Sequence, residues 1–350
     1  MNPQIPGFGL ILLAAVAGGA FAFPLRVHKQ YAWENTWLLA FFFALICIPF
    51  TVVSIFLPVW REALVAAGLA TVLKAVGFGF LWGWGAVTFA IGISNVGMSL
   101  GYATIMGLAT AVGSIIPMVR RWDRIPGDAR FFILLGIATC LAAVAICGRA
   151  GVLRERAVSS GSDNKKDGSA AGSAASKIFL VGLAWCVLSG FLSACANLGF
   201  DFADRVAQEA QQLGAGPLAA SIGRWITVYW GGFLAILIGS GSTMLKNGTW
   251  RNYFKAGTGR DFGFALIAGS CHFLAQIPYG MGAYYLGRLG TSVGWVFNIA
   301  LSLLVANMIG FITKEWKGAP KASTRTLFLG LAVLVVAMVI LAHGNNLVTE

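Results

Sequence analysis

Charge is scarce in this chain. Asp, Glu, Lys and Arg make up 11% of its 350 residues, whereas 58% are hydrophobic; a soluble domain carries about 25% charged residues. So little charge excludes a water-soluble enzyme. Acidic residues are the scarcer kind, 13 against 25 basic ones. The resulting net charge of +12 is nevertheless no nucleic-acid footprint, because the Lys and Arg sit in short runs between apolar stretches rather than on one basic face. No nucleic-acid partner is expected. Metal-binding patterns are missing too: Cys47, Cys140, Cys147, Cys186, Cys195 and Cys271 all fall inside apolar stretches, without CxxC spacing or a surrounding His and acidic set. They read as packing residues. No Walker A motif is present to bind ATP. The first ten residues hold no Lys or Arg, so the apolar stretch that follows lacks the basic start of a signal peptide and is expected to be retained.

What the chain has in excess is glycine and long apolar runs. Its 45 glycines are about twice the usual share of roughly 7% and follow no collagen period; glycine inside apolar helices lets membrane helices approach closely. A helix needs about 20 apolar residues to cross the hydrocarbon. Ten such stretches are expected, at 7–25, 37–57, 75–93, 98–119, 131–147, 178–200, 217–239, 262–285, 291–312 and 327–343. The stretch 58–74 is amphipathic, carries Arg61, Glu62 and Lys74, and is expected to lie at the interface. Residues 157–176 form a polar Gly/Ser/Ala linker. It divides the chain into two five-helix units, 1–156 and 177–350. Loops after odd-numbered spans hold sixteen Lys and Arg against nine on the other side. By the positive-inside rule the first set is cytoplasmic, and both termini face outward.

The sequence also repeats itself. VGMSLGY (96–102) and LGTSVGW (289–295) match at Gly97, Ser99 and Gly101 against Gly290, Ser292 and Gly294. Each copy falls between the third and fourth spans of its half. Because each half has an odd number of spans, the copies lie on opposite sides of the membrane, which predicts an all-α integral membrane protein of ten helices in two inverted five-helix repeats. That is the architecture of alternating-access carriers. Each copy also spells GxSxG, the nucleophile elbow of serine hydrolases, but an elbow needs a strand-to-helix turn with a His and an acid nearby. Three histidines cannot serve both copies, so the glycines are read as turn and packing residues. An enzyme is not expected.

Four stretches resemble the L-rhamnose-proton symporter family of the drug/metabolite transporter superfamily. They are AFPLR with WENTW (Trp33 to Trp37), the run LWGWGAVTFAIGISNVGMSLGYATIMGLATAVGSIIP from Leu81, RAGVLRER from Arg149, and GWVFNIALSLLVANMIGFITKEWKG from Gly294. The resemblance implies uptake of a methylpentose together with protons, across a bacterial-type inner membrane, with the proton gradient as energy source and no cofactor. One charge falling through about 100 mV releases about 2.3 kcal/mol, enough to concentrate a neutral solute about 50-fold. Residues 201–260 depart from the family pattern with Asp201, Asp204 and an intramembrane Arg224, which leaves the identity of the sugar open. Two alternatives within the superfamily remain: an exporter of amphipathic metabolites, and a carrier of an acidic sugar held by Arg224.

A neutral sugar needs hydrogen-bond partners for its hydroxyls and aromatic rings for its C–H faces. On the third span Trp82 and Trp84 point to different faces, and Thr88 shares the side of Trp84. On the eighth, His272, Gln276 and Tyr279 form one polar stripe on an apolar helix, expected to face the bundle interior. On the ninth, Trp295 and Asn298 lie one turn apart, and Asn307 follows deeper. These are the candidate sugar contacts, and Ser99 and Ser292 are left between substrate contact and helix capping. For the proton, no acidic residue falls in the middle of an expected span. The candidates are therefore His272, whose free imidazole titrates near pH 6.5, and Glu34 at the edge of span two, whose position also suits a helix N-terminal charge. Arg224 is a fixed cation, able to pair with Asp201 or Asp204, to hold an anionic substrate, or to snorkel.

Overall fold

The computed structural model describes residues 4–21, 24, 29–96, 98–160, 169–314 and 316–349. Among the described residues the structure is helical throughout, with no strand. Its helices are α1 (Gln4–Ala20), α2 (Trp33–Phe42), α3 (Ile48–Phe56), α4 (Trp60–Ala67), α5 (Leu69–Val96), α6 (Met98–Arg120) and α7 (Gly127–Ser160) in the first half. They are followed by α8 (Ser169–Phe202), α9 (Asp204–Gln212), α10 (Pro217–Asn247), α11 (Gly259–Tyr285), α12 (Gly290–Ile312) and α13 (Lys321–Thr349).

Among the described residues, nine helical segments are long and apolar enough to cross a membrane, taking Trp33–Phe56 as one. That segment joins α2 to α3 through a π-helical turn, Phe43–Cys47. Pro49, near the start of α3, has no N–H to offer the Leu45 carbonyl, and a π turn absorbs such a gap without breaking the helix. The first apolar stretch is shorter than expected: α1 has 17 residues, about 25 Å of helix at 1.5 Å per residue against roughly 30 Å of hydrocarbon. The rest of the 7–25 stretch falls largely outside the described residues.

The stretch 58–74 is not one interfacial helix. Gly68 breaks it in the left-handed region at φ +84°, where a side chain would be strained. Only α4 precedes the break; residues 69–74 are the first turns of the 28-residue α5. A second short amphipathic helix, α9, packs on α4 around Ala63, Ala207 and Ala210, so the two cover one end of the bundle together. The sequence reading passed over α9. Of the polar segment 157–176, residues 161–168 lie outside the described residues, and the flanking residues continue α7 and begin α8.

Packing is dominated by α7 on α13, α5 on α8 and α10, α11 on α1, and α6 on α7 and α8. Glycine sets the closest crossings. A methyl group on Gly79 would overlap the Val228 carbonyl, and one on Gly231 would overlap the Val76 carbonyl, so α5 and α10 meet backbone to backbone. Outward-facing side chains such as Leu12, Leu13, Phe131, Phe179 and Val339 are large, apolar and exposed, which a bilayer accommodates and water would not.

Candidate functional site

Aromatic side chains from four helices and the turn after α1 converge in the interior. Trp82 of α5 stacks on His272 of α11, with ring centroids 5.8 Å apart and planes 14° off parallel. Phe41 and Phe21 flank the imidazole at 5.2 and 5.1 Å. Trp37 lies one turn before Phe41 on α2, in ring contact at 4.8 Å, as the i, i+4 spacing dictates. Tyr229 of α10 closes the far side of Trp82. The indole fits because α10 carries Gly232 opposite it: a Cβ there would sit 2.7 Å from Trp82 Cζ3. Three polar atoms on these rings are buried and without hydrogen-bond partners among the described residues, Trp37 Nε1, Tyr229 Oη and His272 Nε2. An unmet buried donor or acceptor is costly, so these three atoms are open to a polar partner.

A second group of rings adjoins the first through Tyr229. Trp225 stacks on Tyr229 and on Phe200, and Tyr279 touches Phe200, Trp225 and Trp295. Its hydroxyl donates to Asn197 Oδ1. The Asn197 amide in turn donates to the carbonyls of Gly113 on α6 (2.7 Å) and Thr291 on α12 (2.8 Å), so one residue of α8 holds three other helices together. Trp295 Nε1 donates to the Ala109 carbonyl at 2.9 Å.

One helical turn beyond Asn197 lies an ionic cluster. Asp201, 2% exposed, accepts from Arg120 and Arg121 at the end of α6, the latter at 2.7 Å, and from the Thr291 hydroxyl at 2.9 Å. Arg224 lies beside it, its Nε donating to the Phe200 carbonyl at 3.0 Å and its Nη1 3.4 Å from Asp204. Its guanidinium covers the Phe200 ring at 3.7 Å, a cation–π arrangement.

The opposite end of the site is built around Glu34. This carboxylate accepts from Asn247 Nδ2 (3.0 Å) and Thr249 Oγ1 (2.7 Å). Asn35 accepts from Ala32 N and Asn252 Nδ2 and donates to the Thr249 carbonyl. The Tyr253 hydroxyl donates to the Asn35 carbonyl at 2.8 Å, and burial pushes that phenol up to about 12, so it stays a donor. WENTW thus pins the start of α2 to the turn after α10. Asp261 does similar work on α11, accepting the backbone N–H groups of Lys29, Gln30 and Tyr31.

The residues singled out from the sequence therefore separate. Trp82, His272, Tyr279 and Trp295 sit in the two adjoining ring groups. Gln276, between His272 and Tyr279 on α11, has a buried Oε1 without a partner among the described residues, as does Asn298 Oδ1 on α12. Trp84 faces elsewhere and touches Phe80, and the Thr88 hydroxyl is spent on the Trp84 and Gly85 carbonyls of its own helix. Asn307 likewise bonds back to the Leu303 carbonyl. Ser292 is buried and its hydroxyl has no partner among the described residues, whereas the Ser99 side chain lies outside them. Sequence reasoning missed Trp37, Phe41, Asn197, Trp225 and Tyr229. The i, i+4 pairs Trp37–Phe41 and Trp225–Tyr229 were the available signal, but many aromatic pairs on apolar helices face lipid.

The family model described as L-rhamnose-proton symport protein (RhaT) matches residues 2–346. An L-rhamnose-proton symporter of Pectobacterium atrosepticum is 26% identical over 98% of both chains. Those of Yersinia pestis and Yersinia pseudotuberculosis are 25% identical over the same share.

Proposed function

The chain belongs to the L-rhamnose-proton symport protein family, and from that premise we propose that it takes up L-rhamnose or a related methylpentose with protons, by alternating access across a bacterial inner membrane. Members of the family are carriers, not enzymes, and the proton gradient replaces a cofactor. The observation that carries the assignment to a sugar is the Trp82–His272 stack inside an uncharged ring of aromatics with unmet polar atoms. A deoxy sugar has apolar C–H faces to lie on indole and a few hydroxyls for His272, Tyr229 and Trp37. Gln276, Asn298, Tyr279 and Trp295 stand behind this ring as further contacts, and Trp84 and Thr88 as more distant ones.

The same geometry weighs against the alternatives. An exporter of amphipathic metabolites is served by an all-apolar cavity, which three free polar atoms would penalise. An acidic sugar needs a free cation, and Arg224 is already engaged by Asp204 and the Phe200 carbonyl. We assign His272 to the sugar and Glu34 to anchoring α2, because Glu34 is held by two donors of the neighbouring element.

The ten-helix, inverted-repeat architecture belongs to the same proposal, with α1 as the tenth span. The packing scheme supports it: α5 lies on α8 and α10 as α11 lies on α1 and α2, while α7 and α13 pair with each other. Exchanging the halves reproduces these contacts. Both termini then face outward, and the α4–α9 cover and the Asp201 cluster lie on the outer side.

The test is uptake of labelled L-rhamnose into cells lacking their own carrier. Wild type is expected to accumulate it in a protonophore-sensitive way. Glu34→Gln should keep that sensitivity, and His272→Ala should raise the apparent KM about tenfold, the loss of about one hydrogen bond. No rhamnose uptake by wild type present in the membrane would overturn the assignment.

A further inference from the structure

Asp201 is a buried carboxylate at the meeting point of both halves, and the binding of a neutral sugar gives it no task. Its three donors come from two places: Arg120 and Arg121 at the end of α6, and Thr291 at the start of α12. Facing the same spot are Arg224 on α10, Tyr279 on α11 and Asp204 on α9. Three arginines thus meet two carboxylates. The arginines that clasp Asp201 are 40% and 25% exposed, while its own side chain is 1% exposed, so the carboxylate points inward and the cations close over it.

Resting on the symport reading above, we propose that Asp201 carries the proton of the transport cycle. With this face closed, as here, the carboxylate is paired with Arg120, Arg121 and Thr291. If α6 and α8 part to open the face, Arg120 and Arg121 leave with α6, and the carboxylate keeps only Thr291 and the neighbouring Arg224; the loss of two adjacent cations favours its protonated form. It takes a proton from water on the opened side. Neutralised, it no longer requires the arginines in order to stay buried, and the carrier can reorient. When this face closes, the arginines reclaim the carboxylate and its proton passes into the site between the halves, which is then open to water on the opposite side. No covalent bond other than O–H forms or breaks.

A hydrogen-bonded chain connects this event to the sugar site. Thr291 joins Asp201 to Asn197, and Asn197 joins Thr291 to the Tyr279 hydroxyl; Tyr279 packs on Trp225, which stacks on Tyr229 of the inner ring. Release of Asp201 from its clasp frees Thr291 and loosens the support of the very rings proposed to hold the sugar. Loading of proton and sugar would then favour the same conformation, which is what symport requires.

The experiment uses purified full-length protein in liposomes, measuring proton entry on addition of L-rhamnose together with rhamnose counterflow. Wild type is expected to do both. Asp201→Asn, which imitates the protonated group, should retain counterflow but lose rhamnose-driven proton entry and accumulation, the internal-to-external ratio falling to about one. Asp201→Glu should restore part of the proton entry. Arg121→Gln, with the carboxylate intact, should still move protons with rhamnose. Proton entry by Asp201→Asn equal to wild type overturns the proposal. So does loss of both activities in Asn and Glu variants alike when both are folded and inserted, since that marks a structural clasp. Wild type that moves no protons with rhamnose defeats the functional reading instead.

Discussion

At the scale of single residues, the site is defined by atoms that lack something. Trp82 and His272 stack on each other, and the buried polar atoms of His272, Trp37 and Tyr229 have no hydrogen-bond partner among the described residues. Their use by a sugar can be checked by removing the platform and keeping the donors. Trp82→Ala is expected to raise the apparent KM for L-rhamnose about tenfold or more, since an aromatic contact of this kind is worth about 0.5–1.5 kcal/mol beyond its area, while Trp82→Phe should restore most of the affinity. Equal transport by all three forms would remove Trp82 from the site. His272 and Tyr279 were legible in the sequence because polar side chains at i and i+7 on an apolar helix must face inward. Asp201 was visible as an oddity but not as a buried group. Its position at the end of a span reads equally well as a surface charge, and only the approach of α6 from the other half places two arginines over it.

At the scale of elements, close helix crossings decide where the aromatic side chains meet. The crossing of α5 and α10 through Gly79 and Gly231 leaves no room for a methyl group, and it holds Trp82 beside Tyr229. Gly231→Ala is expected to force the backbones apart at a cost of about 1–3 kcal/mol. Thermal unfolding in detergent should report this as a lowered midpoint, with Gly241→Ala, where open space surrounds the added methyl group apart from Leu237, as the unaffected control. Equal midpoints would mean that α5 and α10 do not approach so closely. The long apolar runs gave away most of the spans. The break at Gly68 and the helix α9 were not legible, because a glycine between apolar residues reads equally as helix or hinge and α9, nine residues long and mostly polar, falls between the apolar runs.

At the scale of the whole molecule, orientation separates the two polar ends of the site. The charge count predicts that the Asp201 end faces outward and the Glu34 end faces the cytoplasm. In intact cells, an impermeant thiol reagent is expected to label Glu62→Cys or Asp128→Cys directly, and Lys255→Cys or Lys321→Cys only after permeabilisation, in a background free of the native cysteine Cys47, which is exposed. The reverse pattern would invert the topology and exchange the roles of the two ends.

The sequence by itself determined the solvent of this protein, the approximate positions of most of its helices and its family, because each depends on composition or on runs of adjacent residues. It also marked the polar stripe of α11, since period and polarity are local properties. Tertiary structure decided which rings face one another, which carboxylate is buried and which arginine is already paired. Asp201 and Arg121 are 80 residues apart in the chain, and Trp82 and His272 are further apart still. Their meeting depends on how glycine-lined helices cross, a property of packing between elements that no single stretch of sequence carries.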